Sequence, residues 1–462
     1  MAAKNILMKP LLANLGFIFQ IAGLLSIAPI VAAYYYNEQA ALISFFLTSL
    51  SFFSVGFMLN ALSERKELDY KASCVLIILT FLLVSLIGAI PYFYLKIFDT
   101  QNKLDDFINS YFESISGYTT TGLTFLEPQA LPKSLILYRS LSQWIGGIGI
   151  VYLLLAFFYS ETVANSIAEA VGIKKTLSKV KSSIIEVLFV YSFYTLVFFL
   201  ILYFLGLKDA VASISLVFSA LATGGFMPGV ELTQNAIIIL LAAMIVGATS
   251  FEIHHSLFFR KWYKLKSSEF ILFLALIIVA SLFMFYFYYR DITLSLFHVT
   301  SSITTTGFSF ISFSAIPENL KVFFITLMFI GGCSFSTSGG IKVYRIIVLF
   351  KSIGHAIRKK LGIQSENVNE TEIFISLITI LLSALLVFVS AFIFTFYGND
   401  FVDSLFECIS AYSTVGLSLN LNLNALLKLI LISLMLIGRV EIFTILIAIS
   451  KEKAVSVVKK VE

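Results

Sequence analysis

Four stretches of this chain set hydroxyl residues against glycine inside apolar sequence. They are Thr119-Thr120-Thr121-Gly122, Ala222-Thr223-Gly224-Gly225, Thr304-Thr305-Thr306-Gly307 and Ser413-Thr414-Val415-Gly416. Such segments suit one kind of chemistry, the presentation of main-chain carbonyl oxygens to an ion. A ring of four can replace the hydration shell of an alkali cation. Glycine fits the narrowest point because it adopts positive φ without a steric penalty and lets carbonyls turn toward an axis. The stretches contain no Asp or Glu. That favours a large, weakly hydrated monovalent ion over Ca²⁺ or Mg²⁺, which usually bind carboxylates. The candidate ion ligands are Thr120, Thr121, Gly122, Thr223, Gly224, Gly225, Thr305, Thr306, Gly307, Thr414, Val415 and Gly416. The competing reading is that Thr/Gly pairs merely let membrane helices approach closely.

Three further groups stand around these loops. Glu113, His298 and Glu407 lie nine residues before the first, third and fourth glycines, where the second repeat has Leu216. An intramembrane carboxylate is a functional candidate by default. Glu113 and Glu407 are read as supports that hydrogen-bond their own loop, with direct ion binding as the alternative; the neutral His298 at the matching place favours support. The run Gly331-Gly332-Cys333-Ser334-Phe335-Ser336-Thr337-Ser338-Gly339-Gly340, followed by Lys342 and Arg345, interrupts an apolar helix. Such a break survives where it lines a cavity. Gly331, Gly332, Ser334, Ser336, Thr337, Gly339, Gly340, Lys342 and Arg345 are therefore candidate gate residues, and a packing kink is the alternative. Arg439, within Gly438-Arg439-Val440-Glu441, is a further candidate gate residue: arginine in lipid costs several kcal/mol, so it should face a pore, where it could hold the gate segment, or a partner such as Glu441, with a purely structural ion pair as the alternative.

The elements that must position these residues follow from composition. Hydrophobic residues make up 59% and charged residues 13%, and mean hydropathy is +0.95. Soluble domains carry roughly 25% charged residues, so this is a polytopic membrane chain. The expected fold is all-α: two leading transmembrane helices, near 11–36 and 40–63, then four tandem units around one pore. Each unit runs helix, short re-entrant helix, Thr/Gly loop, helix. The outer helices are expected near 73–96, 184–206, 269–289 and 372–397, and the second helices near 135–159, 234–250, 320–349 and 424–449. The short segments cannot span a hydrocarbon core of ~30 Å, which needs about 20 residues. The predicted division is 1–66 for the leading helices, 67–165, 166–252 and 253–352 for units one to three, and 353–462 for unit four with a tail. Repetition of this scale decides the fold before any local motif.

Basic residues set the orientation. They cluster at Arg65, Lys66 and Lys71, at Lys174, Lys175, Lys179 and Lys181, at Arg260, Lys261, Lys264 and Lys266, at Arg358, Lys359 and Lys360, and at Lys451, Lys453, Lys459 and Lys460. Both termini are thus expected in the cytoplasm, with no cleavable signal peptide. Cys74, Cys333 and Cys408 form no CxxC pair and read as reduced core residues. Glu252, His254 and His255 match no metal-ligand spacing and are read as a cytoplasmic loop. No catalytic set, phosphate loop or dinucleotide fingerprint is visible, so neither an enzyme nor a nucleic-acid binder is expected.

The chain resembles the Trk/Ktr/HKT superfamily of potassium transporters from about residue 73 to 450. The marks are Glu113-Ser114-Ile115-Ser116-Gly117-Tyr118-Thr119-Thr120-Thr121-Gly122, Gln143-Trp144-Ile145-Gly146-Gly147-Ile148-Gly149, the Gly331–Arg345 segment and Gly438-Arg439-Val440-Glu441. The two leading helices look like the TrkH branch. The resemblance implies a K⁺-conducting homodimer in the cytoplasmic (inner) membrane, with one pore per protomer and no covalently bound cofactor. It also implies a cytoplasmic nucleotide-binding ring resembling TrkA that controls the gate. Filter glycines carry over to Gly122, Gly225, Gly307 and Gly416, the intramembrane loop to Gly331–Gly340 and the pore arginine to Arg439. In this superfamily serine at the first filter glycine goes with sodium transport, so glycine at all four positions implies K⁺. The alternatives are a Na⁺- or H⁺-coupled potassium symporter and a sodium-permeable relative.

Overall fold

A computed structural model describes residues 2–61, 68, 70–149, 180–258, 267–361 and 370–450. Among them six helices are long and apolar enough to cross a membrane, or up to eight if each of two bent pairs is one span. The first leading span is Ala2–Leu25 followed by Ile27–Tyr35, and the second is Gln39–Ala61. The first breaks at Ser26 because Pro29, three residues on, has no N–H to donate to Leu25.

Four units follow in the expected order. The outer helices are Tyr70–Gly88, Val180–Leu202, Ser268–Met284 and Glu370–Thr395. The short helices are Lys103–Tyr118, Ala210–Leu221, Ile292–Ile303 and Phe401–Tyr412. The second helices begin at Lys133, Gln234, Glu318 and Ala425. All four short helices start by one device. Asn102, Asp209, Asp291 and Asp400 each accept a first-turn N–H through the side chain, which satisfies an otherwise orphan donor. Twelve to sixteen residues give only about 18–24 Å of helix, short of a ~30 Å hydrocarbon core, so the chain must return.

The second helices depart from expectation. The helix expected over 234–250 runs to Ala248, close to its expected end, before the chain turns, whereas the helix expected over 424–449 is broken within its length. Gln234–Ala248 turns by 103° into Phe251–Phe258, and Ala425–Val440 turns by 93° into Ile442–Ile449. The hinge in unit four is Glu441, held at φ 65. The region of Glu252, His254 and His255 is therefore helix and not loop. It contains no helix breaker, and Ser250 caps it by accepting the Glu252 N–H at 3.3 Å. His254 is buried there between the Val246 carbonyl at 3.0 Å and the Tyr194 hydroxyl at 3.2 Å. No metal-binding cluster occurs among the described residues. In unit three the helix stops at Ile330 and resumes at Val343. The first-unit helix is described only to Gly149. Its remainder, and the basic clusters at 65–66, 174–179, 260–266 and 451–460, lie outside the described residues.

In units one, two and four a glycine lets the second helix lie against its own short helix. A Cβ on Gly146, Gly247 or Gly438 would come within 3.0 Å of the Tyr118, Leu221 or Tyr412 carbonyl. Such close approach is the usual role of small residues between membrane helices. Three residues before Gly146, Gly247, Gly331 and Gly438 stand Gln143, Met244, Met328 and Met435, all fully buried. Polar contacts bind units at the helix starts. Lys133 meets Asp209 at 3.3 Å, Lys321 pairs with Asp403, and Lys428 donates to Asn109 at 2.7 Å.

Candidate functional site

After each short helix the backbone makes the same reversal. Thr120, Thr223, Thr305 and Thr414 occupy the left-handed region at φ 55, 51, 59 and 50, and the glycines two residues later lie at φ 80, 87, 79 and 91. A β-branched residue at positive φ is an outlier, with strain of roughly 1–3 kcal/mol, and persists only where its surroundings over-determine it. Here the intervening residue is tied back to the scaffold. Thr121, Gly224, Thr306 and Val415 donate their N–H to the Ser116, Ser219, Ser301 and Ser410 carbonyls at 2.8, 2.8, 2.9 and 2.9 Å.

The four loops form a closed cycle. A Cβ on Gly122 would strike the Gly224 carbonyl oxygen, one on Gly225 the Thr306 oxygen, one on Gly307 the Val415 oxygen and one on Gly416 the Thr121 oxygen, each within 3.0 Å. Unit one thus abuts two, two abuts three, three abuts four and four abuts one. A Cβ on Gly225 would also lie 3.3 Å from the Val415 oxygen, so the ring is narrow. The predicted glycines are brought together, with carbonyl oxygens between them.

Glu113, His298 and Glu407 each hydrogen-bond the segment that follows their own glycine. Glu113 accepts from the Phe125 N–H and the Thr124 hydroxyl, both at 2.8 Å. Glu407 accepts from the Leu419 N–H and the Ser418 hydroxyl, both at 2.6 Å. His298 accepts through Nε2 from the Phe310 N–H at 3.2 Å. Each therefore holds the N–H three residues after its glycine. Pro228 occupies that place in unit two and has no N–H. Where the acceptor is replaced by Leu216, the donor is absent too.

Sequence reasoning missed Arg139. Its guanidinium is buried, meets Glu113 at 3.2 Å and the Thr124 hydroxyl at 2.7 Å, and lies 4.1 Å from the centre of the Phe226 ring. The signal was present, since an arginine inside an apolar helix is an intramembrane ion by the rule applied to Arg439.

The segment between Gly331 and Lys342 lies directly against the Thr/Gly ring. Gly339 donates its N–H to the Thr305 hydroxyl at 2.7 Å. The Thr337 hydroxyl reaches the Leu221 and Gly247 carbonyls at 2.8 and 2.9 Å, and lies 3.4 Å from the Thr223 hydroxyl. Cys333 and Thr337 donate their N–H to the Ala248 and Gly247 carbonyls. Ser336 bonds the Cys333 carbonyl and the Ser338 hydroxyl, while Lys342 folds back on the Ser338 carbonyl and hydroxyl. Glu269, another residue unremarked in the sequence, accepts from the Ser334 N–H at 2.6 Å and the Tyr344 N–H at 3.1 Å. Arg439 bridges the segment to unit one, donating to the Thr337 carbonyl at 2.8 Å and to the Gly146 and Gly147 carbonyls at 2.6 and 2.9 Å. The carboxylate of Glu441, offered as its partner, pairs instead with Arg345 at 2.5 Å.

Fold and site together define a multi-pass membrane protein built of four tandem re-entrant units, the architecture of a transporter and not of an enzyme. Its second half, residues 269–457, matches the TrkH family, described as cation transport proteins. A relative described as an uncharacterized cation transporter of Methanocaldococcus jannaschii is 31% identical, over 94% of this chain and 93% of that protein. The Trk system potassium uptake protein TrkH of Halomonas elongata is 30% identical, over 83% of this chain and 86% of its own length. The crystal structure of the potassium transporter TrkH from Vibrio parahaemolyticus superposes with a TM-score of 0.84 at 24% identity, covering 96% and 98% of the two chains, and shares the fold. The chain belongs to the TrkH family.

Proposed function

We propose that this protein takes up potassium ions across the cytoplasmic membrane through a gated, channel-like pore. The filter in this reading is the ring around Gly122, Gly225, Gly307 and Gly416, with ligands from the Thr/Gly loops. The observation that carries it is the cyclic contact of each glycine with the next unit's carbonyl. Four carbonyl-bearing loops around one axis, with no carboxylate in them, suit a weakly hydrated monovalent ion. The short helices add the negative ends of four dipoles, each about half an elementary charge. Relatives named as potassium uptake proteins support K⁺ as the ion.

Gly331–Lys342 is the gate in this reading, held shut by Thr337, Gly339 and Arg439. Uptake is driven by membrane potential, at ~2.3 kcal/mol per charge per 100 mV. Both termini are cytoplasmic, and the protein works as a homodimer under a TrkA-like nucleotide-binding ring, as the resemblance implies. The test is flux into liposomes containing the purified protein under an imposed potential. Potential-driven K⁺ entry that Na⁺ cannot replace supports the proposal. Equal entry of both ions would mean a sodium-permeable relative. A reversal potential that moves with pH or Na⁺ would mean a coupled symporter.

A further inference from the structure

The unit-two loop keeps the main-chain tie from Gly224 to Ser219 but lacks the side-chain ties of its sister loops. Leu216 replaces the acceptor found at Glu113, His298 and Glu407, and Pro228 lacks the donor. In units one and three, Ser116 and Ser301 donate to the carbonyl after the glycine at 2.7 and 2.8 Å, and in unit four Ser410 accepts the glycine's own N–H at 3.1 Å. The matching Ser219 hydroxyl is buried without a partner. Yet Thr223 is held at φ 51 like the others, and such a conformation persists only where its surroundings over-determine it.

Gln143, on the second helix of unit one, reaches across the seam to this loop. Its Nε2 donates to the Gly224 carbonyl at 2.5 Å, and its Oε1 accepts from the Phe226 N–H at 3.3 Å. The two bonds flank Gly225. The side chain is fully buried. The departure at Gly224 has its reason here, since a Cβ at that residue would collide with the Gln143 carboxamide. Thr121, Thr306 and Val415 fill the same place elsewhere. The repeat sharpens the point, because Met244, Met328 and Met435 occupy the position of Gln143 in the other units. Methionine and glutamine are close in length and volume, so only the hydrogen-bonding end differs.

We propose that Gln143 is a selectivity-determining positioning residue through which unit one braces the carbonyl loop of unit two. This rests on reading the Thr/Gly ring as the filter. The test uses the full chain in liposomes, with the reversal potential under opposed K⁺ and Na⁺ gradients, and with Gly122→Ser as a control on the filter itself. Gln143→Met restores the residue of the other units without opening a cavity. It should lower the preference for K⁺ over Na⁺ by about five- to tenfold, the loss expected from one or two hydrogen bonds, with the thermal unfolding midpoint near the parent's. Gln143→Glu, when ionised at alkaline pH, keeps the acceptor for Phe226 but has no donor for Gly224, and should also lower the preference. An unchanged preference in both Gln143 variants, while Gly122→Ser loses it, overturns the role of Gln143 and leaves the filter standing. An unchanged preference in all three overturns the filter reading, and this inference with it. A fall in flux or midpoint with the preference intact marks Gln143 as packing only and overturns the proposal.

Discussion

Replacing Thr337 by Val should loosen the proposed gate with little effect on the filter, because the Thr223 hydroxyl, 3.4 Å away, keeps its bond to the Ala222 carbonyl at 2.7 Å. The two side chains have nearly the same shape, so the change removes a hydroxyl and little else. That hydroxyl sits between the Leu221 and Gly247 carbonyls at 2.8 and 2.9 Å, at the ends of the two helices of unit two. A single proton serves one of them at a time, so the loss is about one hydrogen bond, or 0.5–1.5 kcal/mol net. The main-chain ties of Thr337 to Gly247 and Arg439 survive, and the segment should stay folded. At roughly 1 kcal/mol, the closed-to-open ratio falls about fivefold, since 1.4 kcal/mol is a factor of ten. Basal K⁺ flux into liposomes, without any cytoplasmic partner, should rise by about that factor. The ratio of K⁺ to Na⁺ flux should hold. A folded Thr337→Val protein with unchanged or lower flux would refute the assignment of the segment as a gate, and a shifted ion ratio would refute its separation from the filter.

Other outcomes follow from the same geometry. Glu113→Gln strands the buried Arg139 guanidinium and should destabilise by about 3–5 kcal/mol. Glu407→Gln keeps the acceptor for Leu419 and should be much milder; equal shifts of the unfolding midpoint in detergent would contradict this. Leu216→Glu buries a carboxylate with no N–H to meet it and should lower the yield of folded protein. Adding Pro228→Ala restores that N–H and should recover part of the loss, as size-exclusion profiles would reveal. Gly122→Ser forces a side chain at φ 80 against the Gly224 carbonyl and should erode discrimination against Na⁺; competition between the two ions in liposome flux measures it.

Much of this architecture was legible because it is repeated. The glycines, the acid or histidine nine residues upstream and the short helices all recur, so their spacing exposed the four units. The Gly/Ser run was legible because nothing else explains four glycines and four hydroxyls inside an apolar helix. The break at Glu441 was not legible, because Gly438-Arg439-Val440 before it does not say at which residue the chain turns. Gln143 and Glu269 were opaque for a different reason. A glutamine and a glutamate at helix positions carry no sign of which distant main-chain group they will meet. The pairing of Glu441 with Arg345, not Arg439, is likewise a matter of direction at a bend that the sequence does not announce.

The contact of Gly416 with the Thr121 carbonyl joins the last loop of the chain to the first. Synthesis runs from the amino end, so three inserted units leave a cleft with one wall missing. On the proposed reading of the ring as the filter, a ribosome-bound or prematurely terminated chain would hold no selective aperture, because the fourth side of the ring does not yet exist. Closure is the final act of assembly.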